Sequence, residues 1–380
     1  MVSPVNYDMP FLPFHRPTIY PHHVEAVSVA VRSGWLTSAG KVEEFEAAFA
    51  KIVGAKHAIA VNSCTAAIHL SLIALGVGPG DEVITSPITF ASAVNVIEHV
   101  GAKPVFVDVH PENLTINPDR VRDAITKKTK MIIATHFAGI PADMDELDNI
   151  SRSTGIPVIT DAAHAIETKY YGRLSGELGK AACYSFYATK NITTGEGGML
   201  TTNDGKLAAR VRTLRLHGMT KDAWKRYGPD GYKHWDIVEP GWKYNMSDIN
   251  AALGLSQLRD IESWHAYRKS LVCEYAFLLK KAKMLETDAP HITSAYHLLV
   301  VRVPNRDRVM EEMQISGIGV GVHFRAVHRL KYYSKKYKIS KSALPISEKA
   351  SNEVLSLPLY PTMKLADVSR VAAAIDSIIR

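Results

Sequence analysis

Cysteine is scarce in this 380-residue sequence, which contains only Cys64, Cys183 and Cys273. The three cysteines are far apart, odd in number and without any CxxC spacing. This pattern argues against a disulfide framework and against a cysteine zinc site. We therefore predict a protein of a reducing compartment, by default the cytoplasm, with no metal site.

Long apolar runs are also missing. No stretch approaches the roughly 20 apolar residues that cross a bilayer as a helix. The opening stretch MVSPVNYDMPFLPFHRPTIY has no charged segment followed by an apolar core, so it does not predict a secretion signal. We expect no membrane association.

The charge balance is basic, with a net charge of +7 and a basic cluster, HRLKYYSKKYKISK, at 328–341. No nucleic-acid-binding motif accompanies this cluster, so we predict no nucleic-acid partner. Two interpretations stay open. The cluster is either a solvated face or an attractive surface for a polyanionic small molecule such as a sugar diphosphate.

Strand-like and helical patterns alternate between about residues 55 and 205. The apolar runs HAIAVNS, DEVITSP, PVFVDV, KMIIATHFAG and PVITDAAHA are separated by helical segments such as TAAIHLSLIALG and FASAVNVIEHVG. Continuous apolar strands with helical crossovers are typical of a doubly wound α/β domain, which binds ligands at the C-terminal ends of its strands. We predict a large domain at 1–250, with an N-terminal segment at 1–25. A smaller α+β domain at 251–380 is expected to be built on one long helix.

Three short motifs carry candidate chemistry. Asn62, Ser63 and Thr65 begin a helix after a strand, where free N–H groups bind phosphate, although a plain N-cap fits equally. The glycine fingerprints of dinucleotide folds and P-loops are absent. Asp161 ends a buried strand and Lys190 follows another; an Asp and a Schiff-base lysine are the recurring anchors of pyridoxal phosphate. Together, the three motifs favour a pyridoxal phosphate (PLP) site over ordinary caps and surface charges.

These motifs resemble, in order and across nearly the whole chain, the DegT/StrS family of PLP-dependent sugar-nucleotide aminotransferases. The resemblance implies fold type I, the aspartate aminotransferase fold, which is α/β with a large, mostly parallel mixed sheet and a smaller α+β C-terminal domain. The matching stretches are SGWLTSAGKVEEFEAAFA, GDEVITSPITFASAVNVIEHVGAKPVFVDV, DAAHA, SFYATKNITTGEGGML, LRLHGM, GWKYNMSDINAALGLSQL, GIGVGVHFRAVH and SLPLYP.

The resemblance implies a role for each matching residue. Lys190 is the internal aldimine lysine, Asp161 the partner of the pyridine nitrogen, and His164 a catalytic neighbour on the phenolic side of the cofactor. The implied cofactor-binding positions are those three together with Thr65, Ala66, Phe90, which stacks on the ring, Ser185, and Asn245, which reaches the phosphate of the neighbouring subunit. The protein is therefore expected to be a homodimer with shared active sites. Trp35, Thr37, His323, Arg325 and His328 are the expected substrate-binding residues.

The implied reaction moves an amino group from L-glutamate to a 4-keto sugar nucleotide, giving a 4-amino sugar nucleotide and 2-oxoglutarate. The stretch HFRAVHRLKYYSKKY resembles the branch that makes UDP-4-amino-4-deoxy-L-arabinose for lipid A. UDP, dTDP and GDP sugars, pentose or 6-deoxyhexose, all stay open. Three alternatives remain: a C-3 keto-sugar aminotransferase, a cysteine-dependent lyase or desulfurase on the same fold, and a non-catalytic regulator that binds PLP or sugar.

Overall fold

The computed structural model describes residues 11–220 and 234–379, so residues 1–10 of the predicted N-terminal segment lie outside the described residues. Within the described part, no helix is both long and apolar enough to cross a membrane. The strands are β1 (His57–Val61), β2 (Glu82–Thr85), β3 (Lys103–Phe106), β4 (Thr129–Thr135), β5 (Val158–Asp161), β6 (Lys169–Tyr170), β7 (Arg173–Leu174), β8 (Ala181–Ser185), β9 (Gly198–Thr202), β10 (Lys283–Met284), β11 (Ile292–Thr293), β12 (Leu299–Arg302) and β13 (Val354–Leu357).

Helices cover both faces of the main sheet and build the C-terminal part. The helices are α1 (Pro21–Arg32), α2 (Gly40–Val53), α3 (Cys64–Ala74), α4 (Ala91–His99), α5 (Pro118–Ala124), α6 (Met144–Thr154), α7 (Gly205–Leu214), α8 (Asp248–Gln257), α9 (Ile261–Leu278), α10 (Arg306–Ile315), α11 (Lys331–Tyr337), α12 (Pro345–Glu353) and α13 (Leu365–Ile378).

The main sheet has seven strands in the order β1-β9-β8-β5-β4-β2-β3. The strands β3, β2, β4, β5 and β8 run parallel, whereas β9 runs antiparallel to both of its neighbours. The predicted mixed, mostly parallel sheet is confirmed. Its parallel strands are buried apolar runs because helices cover both faces.

One edge of this sheet gathers the ends of the strands that matter for function. Asp161 ends β5 and Ser185 ends β8, two parallel neighbours. Gly198 of β9 pairs with Ser185 on one side and with Val61, the end of β1, on the other. The start of α3 follows β1 directly, so it lies beside the ends of β5 and β8. Ligands of open α/β sheets bind at such an edge.

The C-terminal part has its own three-stranded sheet, β10-β12-β13, and an apolar core formed largely by α9, α10, α13 and these strands. Leu12 of the N-terminal segment joins this core and forms a bridge with Ile318. The division at residue 250 stays a prediction.

The expected single long helix of the C-terminal part is wrong, because the structure has two helices, α8 and α9, separated by a turn at 258–260. In that turn the Asp260 carboxylate accepts hydrogen bonds from His22 and His23 of α1, each at 2.9 Å. Asp260 thereby fastens α1 to the start of α9. The sequence pattern conceals this break, because both helices bury an apolar face and helix-forming residues continue across the turn.

Candidate active site

Asp161 lies at the bottom of the candidate site, where its side chain is 5% exposed at the end of β5. Its carboxylate accepts a hydrogen bond from the backbone N–H of Ala163 at 3.2 Å and a weaker one from the Cys64 thiol at 3.8 Å. Thr89 also hydrogen-bonds to this carboxylate. Burial nevertheless raises the pKa of Asp161, because desolvation disfavours the charged form. A carboxylate in this position needs a cationic partner.

Lys190 supplies one positive charge close to Asp161. It lies in the polar turn after β8, where its backbone N–H donates to the carbonyl oxygen of Tyr187 at 2.9 Å. Burial lowers the pKa of the Lys190 amine to about 8, while the charge of Asp161 opposes that shift. An amine with such a pKa has a substantial neutral, nucleophilic fraction near neutral pH.

The lowered pKa of Lys190 predicts how the apoprotein captures pyridoxal phosphate. Only the neutral amine attacks an aldehyde, and its fraction rises about tenfold per pH unit below the pKa and levels off above it. The rate of cofactor capture should therefore rise with pH and reach a plateau near pH 8. Stopped-flow absorbance of apoprotein mixed with pyridoxal phosphate measures this rate. A midpoint at the ordinary lysine pKa would contradict the buried position of the amine.

The first turn of α3 forms a phosphate-type pocket beside these two residues. Ser63 is the N-cap of α3 and accepts a hydrogen bond from the Ala66 N–H at 3.1 Å, which fixes the first turn. Ser63, Thr65 and Ser185 line the same cavity as Asp161 and Lys190. The N-terminus of a helix carries partial positive charge and orphan N–H groups, so it is suited to a phosphate. Ala66 is buried, and its N–H is engaged by the cap.

Gly198 allows β9 to pass directly against the start of α3. A Cβ at this position would lie 2.3 Å from the carbonyl carbon of Ser63 and 2.5 Å from the nitrogen of Cys64. No side chain fits there unless the backbone of the first turn moves. The glycine run after Lys190 therefore keeps the phosphate-type turn in place.

The variant Gly198→Ala is expected to weaken the binding of pyridoxal phosphate. Overpacking of this kind costs about 1–3 kcal/mol, which corresponds to about 5- to 150-fold in the dissociation constant. Gly205→Ala is the matched control, because a Cβ there meets only the His57 ring nitrogen at 3.5 Å, an ordinary contact. Fluorescence titration of both apoproteins with the cofactor measures the difference. Equal affinities would show that the close approach does not position the turn.

His164 lies beside Lys190 and is buried. Its Nδ1 accepts the backbone N–H of Ala138 at 3.3 Å, which leaves the proton of the neutral ring on Nε2. Burial lowers the pKa of His164 well below its usual value, and the charge of Lys190 adds to this effect. The ring stacks on Phe324 and lies 4.4 Å, centroid to centroid, from His297. His164 is therefore a neutral hydrogen-bond donor.

Asp161, Lys190, His164, Ser185 and the residues Ser63, Cys64 and Thr65 at the start of α3 line one cavity of about 300 Å³. Phe90 precedes α4 at the mouth and is 63% exposed, with its ring 6.1 Å from that of Phe324. His323 also lines the cavity, and its Nδ1 is 2.9 Å from the Ser356 hydroxyl oxygen. Burial lowers the pKa of His323 to about 4. The mouth thus offers an exposed aromatic ring and a neutral imidazole.

Six of the predicted cofactor- and substrate-binding residues do not line this cavity, and one of them is the buried Ala66. Trp35 and Thr37 are exposed, and their segment contacts Asn245, whose amide donates to the Ser38 hydroxyl at 2.7 Å. Arg325 is exposed. His328 is buried, with Nε2 2.7 Å from the Glu348 carboxylate. Trp35, Thr37 and Asn245 therefore do not line the cavity of their own chain, although Asn245 forms an isolated bridge with Val61, the last residue of β1.

Several cavity residues escaped the sequence-based prediction. Cys64 and Thr89 both contact Asp161, and Thr135 donates to Thr89 at 3.0 Å. Cys64 lies between Ser63 and Thr65 in the first turn of α3, so its position in the sequence could have identified it. Phe324 and Glu196 also line the cavity. Phe324 comes from the C-terminal part, far away in the chain, and no local pattern signals its contribution.

The cavity fits pyridoxal phosphate in its chemistry. It combines a buried carboxylate that needs a cation, a lysine amine of lowered pKa, a neutral imidazole donor and a helix start with free N–H groups. The cofactor has a basic ring nitrogen, an aldehyde, a phenolic oxygen and a phosphate. The donor set matches each of these groups.

The cysteine-dependent alternative finds no support in the cavity. Cys64 and Cys183 are buried, and burial raises the pKa of both thiols, to about 12 for Cys183. A reactive cysteine needs a lowered pKa and access to substrate. Cys273 is exposed on α9 and does not line the cavity.

Comparisons with known proteins identify the family of this chain. The chain matches the model of the DegT/DnrJ/EryC1/StrS aminotransferase family over residues 17–376. It is 42% identical over 379 residues to the spore coat polysaccharide biosynthesis protein SpsC of Bacillus subtilis, covering 97% of each chain.

Two solved structures show the same fold over nearly the full length. Spr1654 of Streptococcus pneumoniae, assigned as a sugar aminotransferase and solved in its PMP form, has a TM-score of 0.91 and 31% identity, covering 97% of this chain and 98% of that chain. DesI, solved in the presence of its TDP-sugar product, has a TM-score of 0.87 and 30% identity, and the match covers 98% of this chain and 94% of that chain.

Fold, cavity and comparisons together define a PLP-dependent aminotransferase of fold type I. Pyridoxal phosphate is its cofactor, as PLP and PMP forms of Spr1654 agree. The chain belongs to the DegT/DnrJ/EryC1/StrS aminotransferase family.

Proposed function

We propose that this protein transfers the amino group of L-glutamate to the C-4 keto group of a sugar nucleotide, a UDP-4-keto-pentose or a UDP-, dTDP- or GDP-4-keto-6-deoxyhexose. The observation that carries the proposal is the single cavity shared by Lys190, Asp161 and the first turn of α3. The TDP-sugar product present with DesI and the polysaccharide pathway of SpsC support a sugar nucleotide as substrate. The location in the cytoplasm stays a prediction.

Each residue of the cavity has a definite task in this reaction. Pyridoxal phosphate, when bound, supplies the aldehyde that accepts the amino group and the ring that withdraws electrons. Lys190 would hold the aldehyde, and its amine, when free, would take a proton from the α-carbon of the donor. Asp161 would keep a proton on the ring nitrogen. His164 would offer its Nε2–H to the phenolic oxygen, and the first turn of α3 would hold the phosphate.

A homodimer with shared active sites is part of the proposal. Asn245 hydrogen-bonds to Ser38, in the segment that contains Trp35 and Thr37, and none of these three residues lines the cavity of its own chain. Trp35 and Leu36 in this segment are 47% and 49% exposed. We propose that in a twofold dimer the segment and Asn245 reach the cavity of the second subunit. We propose that Asn245 contacts the phosphate of the partner's cofactor and that Trp35 and Thr37 contact its sugar.

His323 is proposed to contact sugar in its own cavity. The exposed Arg325, with His328 beside it in the chain, is proposed to contribute to diphosphate binding.

Mixing two inactive variants tests the shared site. Lys190→Ala removes the amine, whereas Asn245→Asp places a negative charge against the phosphate. In a mixed dimer, one site carries both defects and the other carries neither. Because half of the randomly formed dimers are mixed, activity should return to about a quarter of the wild-type value. Refolding or subunit exchange followed by an activity assay measures this recovery, and no recovery above the separate variants would contradict the shared site.

The substrate is tested by a screen of keto-sugar nucleotides with L-glutamate, with the product identified by mass and the position of the new amine by NMR. A 4-amino product supports the proposal. A 3-amino product would replace it by the C-3 alternative. If L-glutamate bleaches the visible absorbance but no sugar product forms, amino transfer from glutamate is supported and a sugar nucleotide as the acceptor is contradicted. The absence of bleaching by any amino donor would favour a regulator that binds the cofactor without turnover.

A further inference from the structure

A second, smaller cavity lies behind Lys190, which borders both cavities. Its walls come from the N-terminal segment, the turn after β8 and helix α9, and they include His15, Thr18 and Arg268. The volume of this cavity is about 10 Å³, which admits about one water-sized particle.

Arg268 points to an acceptor in this cavity. It is 2% exposed, and its Nη2 donates to the Glu167 carboxylate and to the Ala295 carbonyl oxygen. Within the described residues, its Nε and Nη1 have no protein partner. Buried guanidinium N–H groups without an acceptor are costly, and native proteins satisfy nearly all of them.

Two further unpartnered polar atoms belong to the same wall. Thr18 is 7% exposed, and its hydroxyl oxygen has no protein partner in the described part of the chain. The same is true of Nε2 of His15. Burial lowers the pKa of His15 to about 4, and the charges of Arg268 and Lys190 add to this effect. The Thr18 hydroxyl has a proton to donate, and the neutral His15 ring carries one N–H, on either Nδ1 or Nε2.

The charge of the wall distinguishes an anion from a water molecule. Besides His15 and His297, whose pKa values burial lowers, the described lining residues include the basic Arg16, Lys190 and Arg268, and none of them is acidic. The carboxylates that face these cations, Glu167 and Asp161, lie outside the lining. A donor-rich, basic wall favours a negative charge over a neutral molecule.

We propose that this cavity binds one monatomic, monovalent anion, a halide such as chloride, held by the Arg268 guanidinium and the Thr18 hydroxyl behind Lys190. The anion satisfies donors that the described residues leave unpaired, and the small cavity favours a single atom over a polyatomic anion. It also couples to the cofactor lysine, because a nearby negative charge favours the ammonium form. Halide should therefore slow the capture of pyridoxal phosphate at neutral pH.

Crystals of the PLP-loaded protein grown with bromide in place of chloride test the site directly. We expect an anomalous difference peak in contact with Arg268 and Thr18. Density at that position without anomalous signal would identify a water molecule and overturn the proposal. Bromide peaks confined to the molecular surface would overturn it as well.

A titration in solution separates this site from general salt effects. Bromide is exchanged against gluconate at constant ionic strength, and the pH midpoint of cofactor capture is measured. We expect the midpoint to move upward and to saturate with bromide. Thr18→Val removes the hydroxyl at nearly equal volume and should weaken halide binding about three- to tenfold, the effect of one hydrogen bond. Thr85→Val is the control, because Thr85 is another buried, unpartnered hydroxyl that lines neither cavity. An unchanged midpoint, or equal halide affinity in both variants, would refute the site.

Discussion

Replacing Lys190 by alanine is expected to reduce turnover with L-glutamate by about 10⁴-fold, because the variant loses both the covalent attachment point and the acid–base amine. The remaining cavity keeps Asp161, His164 and the first turn of α3, so the cofactor should still bind. The variant therefore separates chemistry from binding. Activity should fall by orders of magnitude while the affinity for pyridoxal phosphate changes much less.

Three measurements check this expectation. The visible absorbance of the loaded enzyme should be lost or shifted in Lys190→Ala, because the aldehyde remains free. Equilibrium dialysis should still recover bound cofactor. Lys206→Ala is the matched control, because Lys206 is an exposed lysine in the first turn of α7. If Lys190→Ala had the absorbance spectrum and the turnover of the wild type, Lys190 would have no part in the mechanism. If Lys206→Ala lost absorbance and turnover to the same extent, the loss in Lys190→Ala would reflect a folding defect.

The sequence pattern of apolar strands followed by polar residues was sufficient to predict the parts of the site that come directly after strands. Asp161, Ser185 and Lys190 come at or just after buried strands, and parallel strands in one sheet bring such residues to one edge. The start of α3 was found for the same reason, since Ser63 is a recognisable N-cap. These residues are close in space because of topology, which alternating strands and helices already reveal.

The parts that depend on tertiary packing were not predictable in this way. Phe324 reaches the cavity from the C-terminal part, and Arg268 faces a second cavity from the middle of α9. On the sequence, Arg268 resembles any basic residue of an amphipathic helix, and only its burial next to Glu167 distinguishes it. The break between α8 and α9 was not predictable for a similar reason, because Asp260 in that turn forms hydrogen bonds to His22 and His23, which are distant in the sequence.

The variant Asp161→Asn is expected to reduce turnover by about 10²- to 10⁴-fold. A neutral amide cannot hold a proton on the ring nitrogen of the cofactor, so the ring withdraws electrons less strongly. The change is nearly isosteric, and the amide can still accept the N–H of Ala163 that the carboxylate accepts at 3.2 Å. Folding and cofactor binding should therefore survive, unlike turnover.

In the same variant, the capture of pyridoxal phosphate by Lys190 should become faster while turnover falls. A general loss of structure would slow both, so the two measurements distinguish a charge effect from misfolding. The Asp161 charge raises the pKa of the Lys190 amine, whereas burial lowers it to about 8. Without that charge the pKa falls further, so the neutral amine predominates at a lower pH. The pH midpoint of cofactor capture should move below 8 and capture at pH 7 should become faster, even though turnover collapses. Asp204→Asn is the control, because Asn caps helix α7 as well as Asp does. If the midpoint stayed in place or rose in Asp161→Asn, the two residues would not be coupled as their positions require.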